Sequence, residues 1–269
     1  DGLLGTSSHI NSATTTAETA KMSNACLQVT DSSNRPNSAS ADTAPTIPRA
    51  AVTPETAAIL VEPVQGEGGI HPASMEYLEG LRRMADEFGL LLFLDEIQTG
   101  MGRTGRLFAH QWSSIEPDIM AVAKGLAGGF PIGACLATEK AARALTAGSH
   151  GSTFGGNPLA TAAAYAGTRF LLDNDILGHV KEMERHLSAK LNELKSRVSV
   201  ISEIRIKGLL AAVEFNSDVS GQVLTQANEA GILLNGVRPN AVRLMPPLNV
   251  TAAEIDEAIQ RLELALSKV

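Results

Sequence analysis

Three short apolar runs constrain this chain more than any other feature. AAILVEPV (57–64), LLLFLD (90–95) and DIMAVAK (118–124) are rich in Leu, Ile, Val and Ala, and a charged residue, Glu62, Asp95 or Lys124, closes or nearly closes each. Near-continuous apolar strands of this length belong to parallel sheets rather than to half-wet hairpins. Between the first two runs, SMEYLEGLRRMADEFG (74–89) places Met75, Leu78, Leu81, Ala85 and Phe88 near helical spacing. Ser74 suits its N-cap and Gly89 its C-terminal stop. The alternation predicts an α/β fold whose mainly parallel sheet is covered by helices on both faces. Open sheets of that kind bind ligands outside the carboxyl ends of their strands, where Glu62, Asp95 and Lys124 are expected.

Downstream, the periodicity predicts helices over 157–173 and 176–197. EIRIKGLLAAVEF (203–215) and VRLMPPL (242–248) read as strands of a smaller α+β unit, closed by a helix whose Thr251 and Glu254 fit a capping box. The chain thus divides into a tail (1–48), a large-domain portion (49–175) and a small carboxyl-terminal domain entered through the 176–197 helix. The tail is rich in Ser, Thr, Ala and Asn, and the first aromatic residue of the chain is Tyr77, so the tail is expected to be mostly disordered. The chain begins at Asp1 rather than Met, which reads as part of a longer or processed product.

A net charge of −7 argues against a nucleic-acid partner, since phosphate binding needs a basic face. Cys26 and Cys135 have no CxxC or Cys/His neighbour and no histidine pair has HExxH spacing, so free thiols and no metal site are expected. No apolar run approaches the roughly 20 residues of a membrane span and no signal-peptide core is visible, which together predict a cytoplasmic protein.

A lysine closing the apolar run IMAVA is costly unless its ammonium is paired, neutralised or used covalently. The glycines of GLAGGFPIG behind Lys124 would let a bulky ligand approach the backbone. A lysine and an aspartate at one sheet edge suit pyridoxal phosphate: the lysine binds it covalently and the carboxylate pairs with its ring nitrogen. A competing reading comes from Gly100, Gly102 and Gly105, which spell the dinucleotide pattern G-x-G-x-x-G. That fingerprint should follow its strand directly and open into a helix. Here residues 96–99 intervene and RTGRLFAHQ has no helix start, so the glycines are expected to shape a loop.

The strings VEPVQGEGG (61–69), DEIQTGMGRTG (95–105), PDIMAVAKGLAGGFPIGA (117–134) and HGSTFGGNPLA (150–160), in this order, resemble the class III aminotransferases, in wording most like their acetylornithine branch. The resemblance runs from about Ala50 to Val269 and implies a large domain incomplete at its amino-terminal side. It implies that Lys124 binds pyridoxal phosphate and serves as acid and base, while Asp95 contacts the ring nitrogen. Ile97 would pack on the ring, Gln98 would reach its hydroxyl, and Glu96 lies in the same cofactor-binding segment, where it and Glu62 would orient their neighbours. Thr153 would reach the phosphate held by the other subunit of a homodimer with shared active sites. Ser152 would lie near substrate, and Glu67 would hold Arg243 until a substrate carboxylate replaces it. The implied reaction moves an amino group from N-acetylornithine, or from succinylornithine, ornithine, 4-aminobutyrate or carrier-bound lysine, to 2-oxoglutarate in arginine-type amino-acid metabolism. Residues 1–48 contain none of the family's amino-terminal elements, so little activity is expected of the chain alone. An inactive binding or assembly subunit on the same scaffold is the alternative.

Overall fold

The computed structural model describes Cys26–Gln28 and residues 46–269, with side chains from Arg49 onward. Its first sheet has the order β1-β2-β5-β6-β7, built from Cys26–Gln28, Ala58–Val61, Leu91–Asp95, Ile119–Val122 and Ala134–Ala137. The first four strands run parallel and β7 antiparallel. A two-stranded ribbon, β3 (Val64–Gln65) and β4 (His71–Pro72), leads from β2 toward helix α2. A short helix α1 (Thr46–Ala51) precedes β2.

Helix α2 (Met75–Phe88) forms as its pattern predicts. Ser74 accepts from the Tyr77 amide at the N-cap, and Gly89 ends the helix in the left-handed region at φ 68°. Its buried face, Leu78, Leu81, Met84 and Ala85, packs on Ile59, Val61, Leu92 and Leu94 of β2 and β5. These two strands alternate buried and half-buried residues, as does β6. Cover on both faces was expected; among the described residues one face is sealed and the other only partly shielded. Apolar content alone cannot tell a strand buried on both faces from one whose second face awaits cover.

Both ends of this sheet carry strands that the sequence did not mark. Cys26–Gln28, inside the stretch expected to be mostly disordered, pairs in parallel with Ala58–Leu60 and covers the β2 edge. Three residues can join a ladder through backbone hydrogen bonds alone, which composition does not register. The rest of 1–45 lies outside the described residues. At the other end, β7 was not anticipated, because ACLA is short and all four of its residues are exposed.

Past β7 and the single-turn helix α3 (Glu139–Ala142) comes α4 (Pro158–Asp173), started by Asn157, whose side chain accepts from the Ala160 amide, with Pro158 at its first position. Of this apolar helix only Ala160 and Leu171 are buried, and Tyr165 and Phe170 are 71% and 55% exposed. Together with Phe154 and Leu159 they give the chain a large exposed apolar surface.

The small domain is a four-stranded antiparallel sheet, β10-β11-β9-β8, from Asn235–Arg238, Ala241–Leu244, Leu210–Phe215 and Ile201–Lys207. Helices α5 (Ile176–Arg197), α6 (Ser220–Glu229) and α7 (Ala252–Leu266) complete it. The capping box of Thr251 and Glu254 is present at the start of α7. Val180, Leu187, Leu191 and Leu194 of α5 share one core with Val213 and Phe215 of β9 and Leu262 of α7. The opposite face of β9 does something else. Leu210 and Ala212 pack on Val64 and Ile70 around the β3–β4 ribbon, sealing the small domain against the large-domain portion.

Asp118, just before β6, welds three elements. One carboxylate oxygen accepts from the Leu92 amide at 2.8 Å and from Arg82 of α2 at 2.7 Å. Burial would raise this carboxyl, but the Leu92 amide and the Arg82 guanidinium outweigh it and hold it below the ordinary aspartate value. Asp118→Ala is expected to cost about 2–3 kcal/mol in urea unfolding near neutral pH, by loss of charge-assisted bonds and an orphaned amide. Because the folded pKa is lowered, this contribution is complete above the ordinary value of 3.8 and is lost as pH falls through the lower folded value. The gap between the wild-type and variant unfolding midpoints should narrow there, leaving the part due to the orphaned Leu92 amide.

Candidate active site

The carboxyl ends of β2, β5 and β6 lie side by side. Val61 is in register with Leu94, and Asp95 with Ala121, so Glu62, Asp95 and the turn that begins at Lys124 emerge at one edge. The Glu96 amide donates to the Ala121 carbonyl at 2.9 Å, which extends the pairing one residue past β5. Lys124 opens a single 3-10 turn (Lys124–Ala127) with φ 45°, a conformation uncommon for a residue with a side chain. Its side chain is exposed at the sheet edge. Helix α4 packs on this turn.

Around the lysine are three acids with different surroundings. Burial raises the Glu62 carboxyl above its ordinary value. The Gly66 amide, which Glu62 accepts at 2.9 Å, and the field of Lys124 oppose the shift, while Asp95 and Glu67 reinforce it. Asp95 is half-buried and accepts from the Ile97 amide at 2.9 Å through one oxygen, which orients its carboxylate. Glu67 is exposed, and its carboxyl is lowered from the ordinary value, first by Arg243 and then by Gln98.

The Glu67–Arg243 pair is formed, at 2.9 Å, by residues 176 positions apart. Gln98 completes a triangle, donating to Glu67 at 2.7 Å and accepting from Arg243 at 3.1 Å. Gly66 permits this arrangement, since a Cβ there would stand 2.3 Å from Gln98 Oε1. Gln98 was expected to reach a ring hydroxyl; in this structure its amide is engaged by the ion pair.

Glu96 is held by its own loop. It is 1% exposed, and its oxygens accept from Thr99 Oγ1, the Ala109 and His110 amides and the His110 ring. These bonds tie the loop that follows β5 into a closed circuit. An acid beside Asp95 in sequence has its side chain on the other side of the backbone. Within that loop the glycine triplet proves to be packing: Cβ atoms on Gly100 and Gly105 would lie 2.7 Å from Glu96 O and 2.8 Å from Lys181 Cγ.

Ser152 and Thr153 lie on an exposed loop before α4, where Ser152 Oγ accepts from the Gly155 amide at 2.8 Å. No described contact joins either residue to Lys124 or Asp95. Sequence reasoning missed the residues that grip the 66–70 turn. Arg238 donates to the Gly68 carbonyl at 2.6 Å, and buried Arg205 donates to Gly69 and Ile70 at 2.9 and 3.1 Å. Asn235 accepts from Arg243 at 2.5 Å. No local pattern marks them, because their partners come from the other end of the chain. Among the described residues no cluster of His, Cys, Asp or Glu is arranged for a metal, Cys135 is a free exposed thiol, and no helix is long and apolar enough to cross a membrane.

A mainly parallel sheet with a lysine and an aspartate at neighbouring strand ends, sealed to a small antiparallel domain, is the architecture of the pyridoxal-phosphate-dependent aminotransferases. Among solved structures the chain is similar to the N-acetylornithine aminotransferase of Stenotrophomonas maltophilia, with TM-score 0.73 and 38% identity over 80% of this chain and 57% of that one. It is also similar to the ornithine aminotransferase of Toxoplasma gondii, with TM-score 0.74 and 38% identity over 80% and 52%. The family model for class-III aminotransferases matches residues 4–266, and the chain belongs to that family. A curated relative, the acetylornithine aminotransferase of Brucella melitensis, is 49% identical over 223 residues, which cover 82% of this chain and 55% of the relative. The chain therefore spans about half the length of the curated relatives it matches.

Glu62 and Glu96 should respond oppositely to neutralisation. Glu96→Gln turns a donor toward amides that need an acceptor and is expected to cost about 2–4 kcal/mol in chemical denaturation. Glu62→Gln removes a charge the fold disfavours and should raise the unfolding midpoint at neutral pH. Since the folded pKa is raised, that gain should fade as pH falls through the folded value and vanish below the ordinary 4.5.

Proposed function

We propose that this chain carries the lysine side of an aminotransferase site that moves an amino group from N-acetylornithine, or a related ω-amino donor, to 2-oxoglutarate with pyridoxal phosphate. The placement of Asp95 and Lys124 at the ends of adjacent strands carries this reading. The names of the relatives support the donor, and the Toxoplasma structure is described with pyridoxal phosphate at its active site. The donor set fits that group: one exposed lysine at the sheet edge and one carboxylate pre-oriented by the Ile97 amide.

When bound, the cofactor supplies an electron sink for the substrate carbon that loses its proton. In this reading Lys124 would hold the cofactor covalently, and its amine, when free, would take a proton from the substrate and give it back. Asp95 would hold the cofactor through its ring nitrogen, and Ile97 would offer an apolar contact to the ring. Arg243 receives the carboxylate of the oxo acid once Glu67 lets go; Glu67 is well suited to release because it is exposed and its bonds are individually weak. Thr153 and Ser152 act at the phosphate and substrate of a homodimer, a role supported by their exposure beside the uncovered apolar face of α4. We further propose that turnover needs the part of the relatives' length that this chain does not match.

The purified chain, mixed with pyridoxal phosphate, should develop a visible absorption band that borohydride fixes as a mass increase on the Lys124 peptide. Lys124→Ala should abolish the labelling, and Asp95→Ala should weaken cofactor binding at least about tenfold, the loss of one close charge pairing. Labelling elsewhere, or none even when the unmatched part of a relative is co-expressed, would overturn the assignment.

A further inference from the structure

The chain has a single tryptophan, Trp112, and three cations gather on it. Lys207 Nζ stands 3.8 Å from the indole centroid, Arg106 Cζ 5.0 Å and Lys181 Nζ 5.9 Å. They come from three elements: Arg106 from the loop after β5, Lys181 from α5 and Lys207 from the end of β8. The Trp112 ring nitrogen donates to the Thr104 carbonyl at 3.0 Å, so the indole is held within its own loop. Leu209 next to the β8–β9 turn donates to the Arg103 carbonyl of that loop at 3.0 Å, and Arg103 donates back to the Leu209 carbonyl at 3.0 Å. The three cations are thus carried on elements already fastened to one another.

In a chain of net charge −7, most arginines and lysines with close neighbours pair with acids, as Arg82, Arg197, Arg205 and Arg243 do. Arg106, Lys181 and Lys207 make no hydrogen bond or ion pair with a carboxylate among the described residues. An indole face attracts a cation, but its quadrupole does not neutralise charge, so three cations around one ring repel one another. Burial is the main cause that pushes the Lys207 ammonium below the ordinary lysine value; Glu184 opposes the shift, and the field of Arg106 adds a smaller lowering. A compact anion of charge two or more would pair with several of these cations at once and relieve their repulsion.

We propose that Arg106, Lys181 and Lys207 form a binding site for a small multivalent oxyanion, a phosphate or a polycarboxylate, beside Trp112 and separate from the Lys124 edge. Such an anion would tie the loop after β5, which begins at Asp95, to α5 and to the small-domain hairpin.

Trp112 reports on this site directly, because no other tryptophan contributes to its emission. Sodium phosphate titrated into the full chain at constant ionic strength, balanced with chloride, should change the emission saturably. The half-saturating concentration should rise at least about fivefold in Lys207→Gln and likewise in Arg106→Gln, fivefold being the effect per unit of anion charge at about 4 Å in water-like surroundings. Lys124→Ala should leave the titration unchanged, which separates this site from any phosphate bound at the sheet edge. A parallel citrate titration assigns the natural ligand class: tighter citrate marks a polycarboxylate site and tighter phosphate a phosphoryl site. Arg106 is exposed, so Arg106→Gln decides the matter if circular dichroism shows Lys207→Gln to be misfolded. Absence of a saturable change with both anions, or a response unaltered in Arg106→Gln, overturns the proposal.

Discussion

The carboxylate of Glu96 is enclosed almost completely, and a buried charge persists only where donors surround it. Here the donors are the Thr99 hydroxyl, two amides at 109 and 110 and the His110 ring. The loop between β5 and β6 must therefore close on itself wherever Glu96 sits. Asp95, Ile97 and Gln98 flank that anchor, so their positions are consequences of it. The same loop supplies Arg103, whose burial pushes its pKa down to about 10 and which donates to the Leu209 and Pro246 carbonyls of the small domain. One enclosed acid thus sets Asp95, Ile97 and Gln98, and an arginine seven residues later ties the loop to the second domain.

The seam between domains has an apolar and a polar half. Val64 and Ile70 against Leu210 and Ala212 make the apolar half, and Arg205 gripping the Gly69 and Ile70 carbonyls makes the adjoining polar one. Their shared effect is to hold the 66–70 turn rigid, with Glu67 at its exposed tip. An ion pair placed there, between Glu67 and Arg243, is solvated on one side and is worth little to stability. That cheapness suits a contact proposed to open for substrate. The structure places firm bonds beneath the turn and a weak one at its tip.

By contrast, the edge formed by β7 and the apolar helix α4 carries large exposed side chains with no described cover. The proposed homodimer and the unmatched length of the relatives both provide something to bury there. Ser152 and Thr153 stand on the loop that leads into this face, so the functions proposed for them depend on the same cover.

Much was legible in the sequence. The apolar runs over 57–64, 90–95 and 118–124 marked three strands of one sheet with Glu62, Asp95 and Lys124 at or just beyond their ends, because strand burial and strand termini are local properties. Helix α2 and the cap of α7 followed from residues three or four positions apart for the same reason. Strand β1 escaped notice because backbone pairing needs no side-chain signature, and β7 because four exposed residues carry no burial pattern. Only the tertiary structure decided that Glu96 holds the loop while Asp95 faces the lysine edge, and that Gln98 is engaged by a pair 176 residues apart in sequence. It also decided that Arg205, Arg238 and Asn235 grip the turn, and that three cations meet on Trp112. The sequence determined which chemistry was available, since residue type and strand end are written locally. Which groups meet depended on side-chain direction and on contacts between distant segments, and these exist only once the two domains pack.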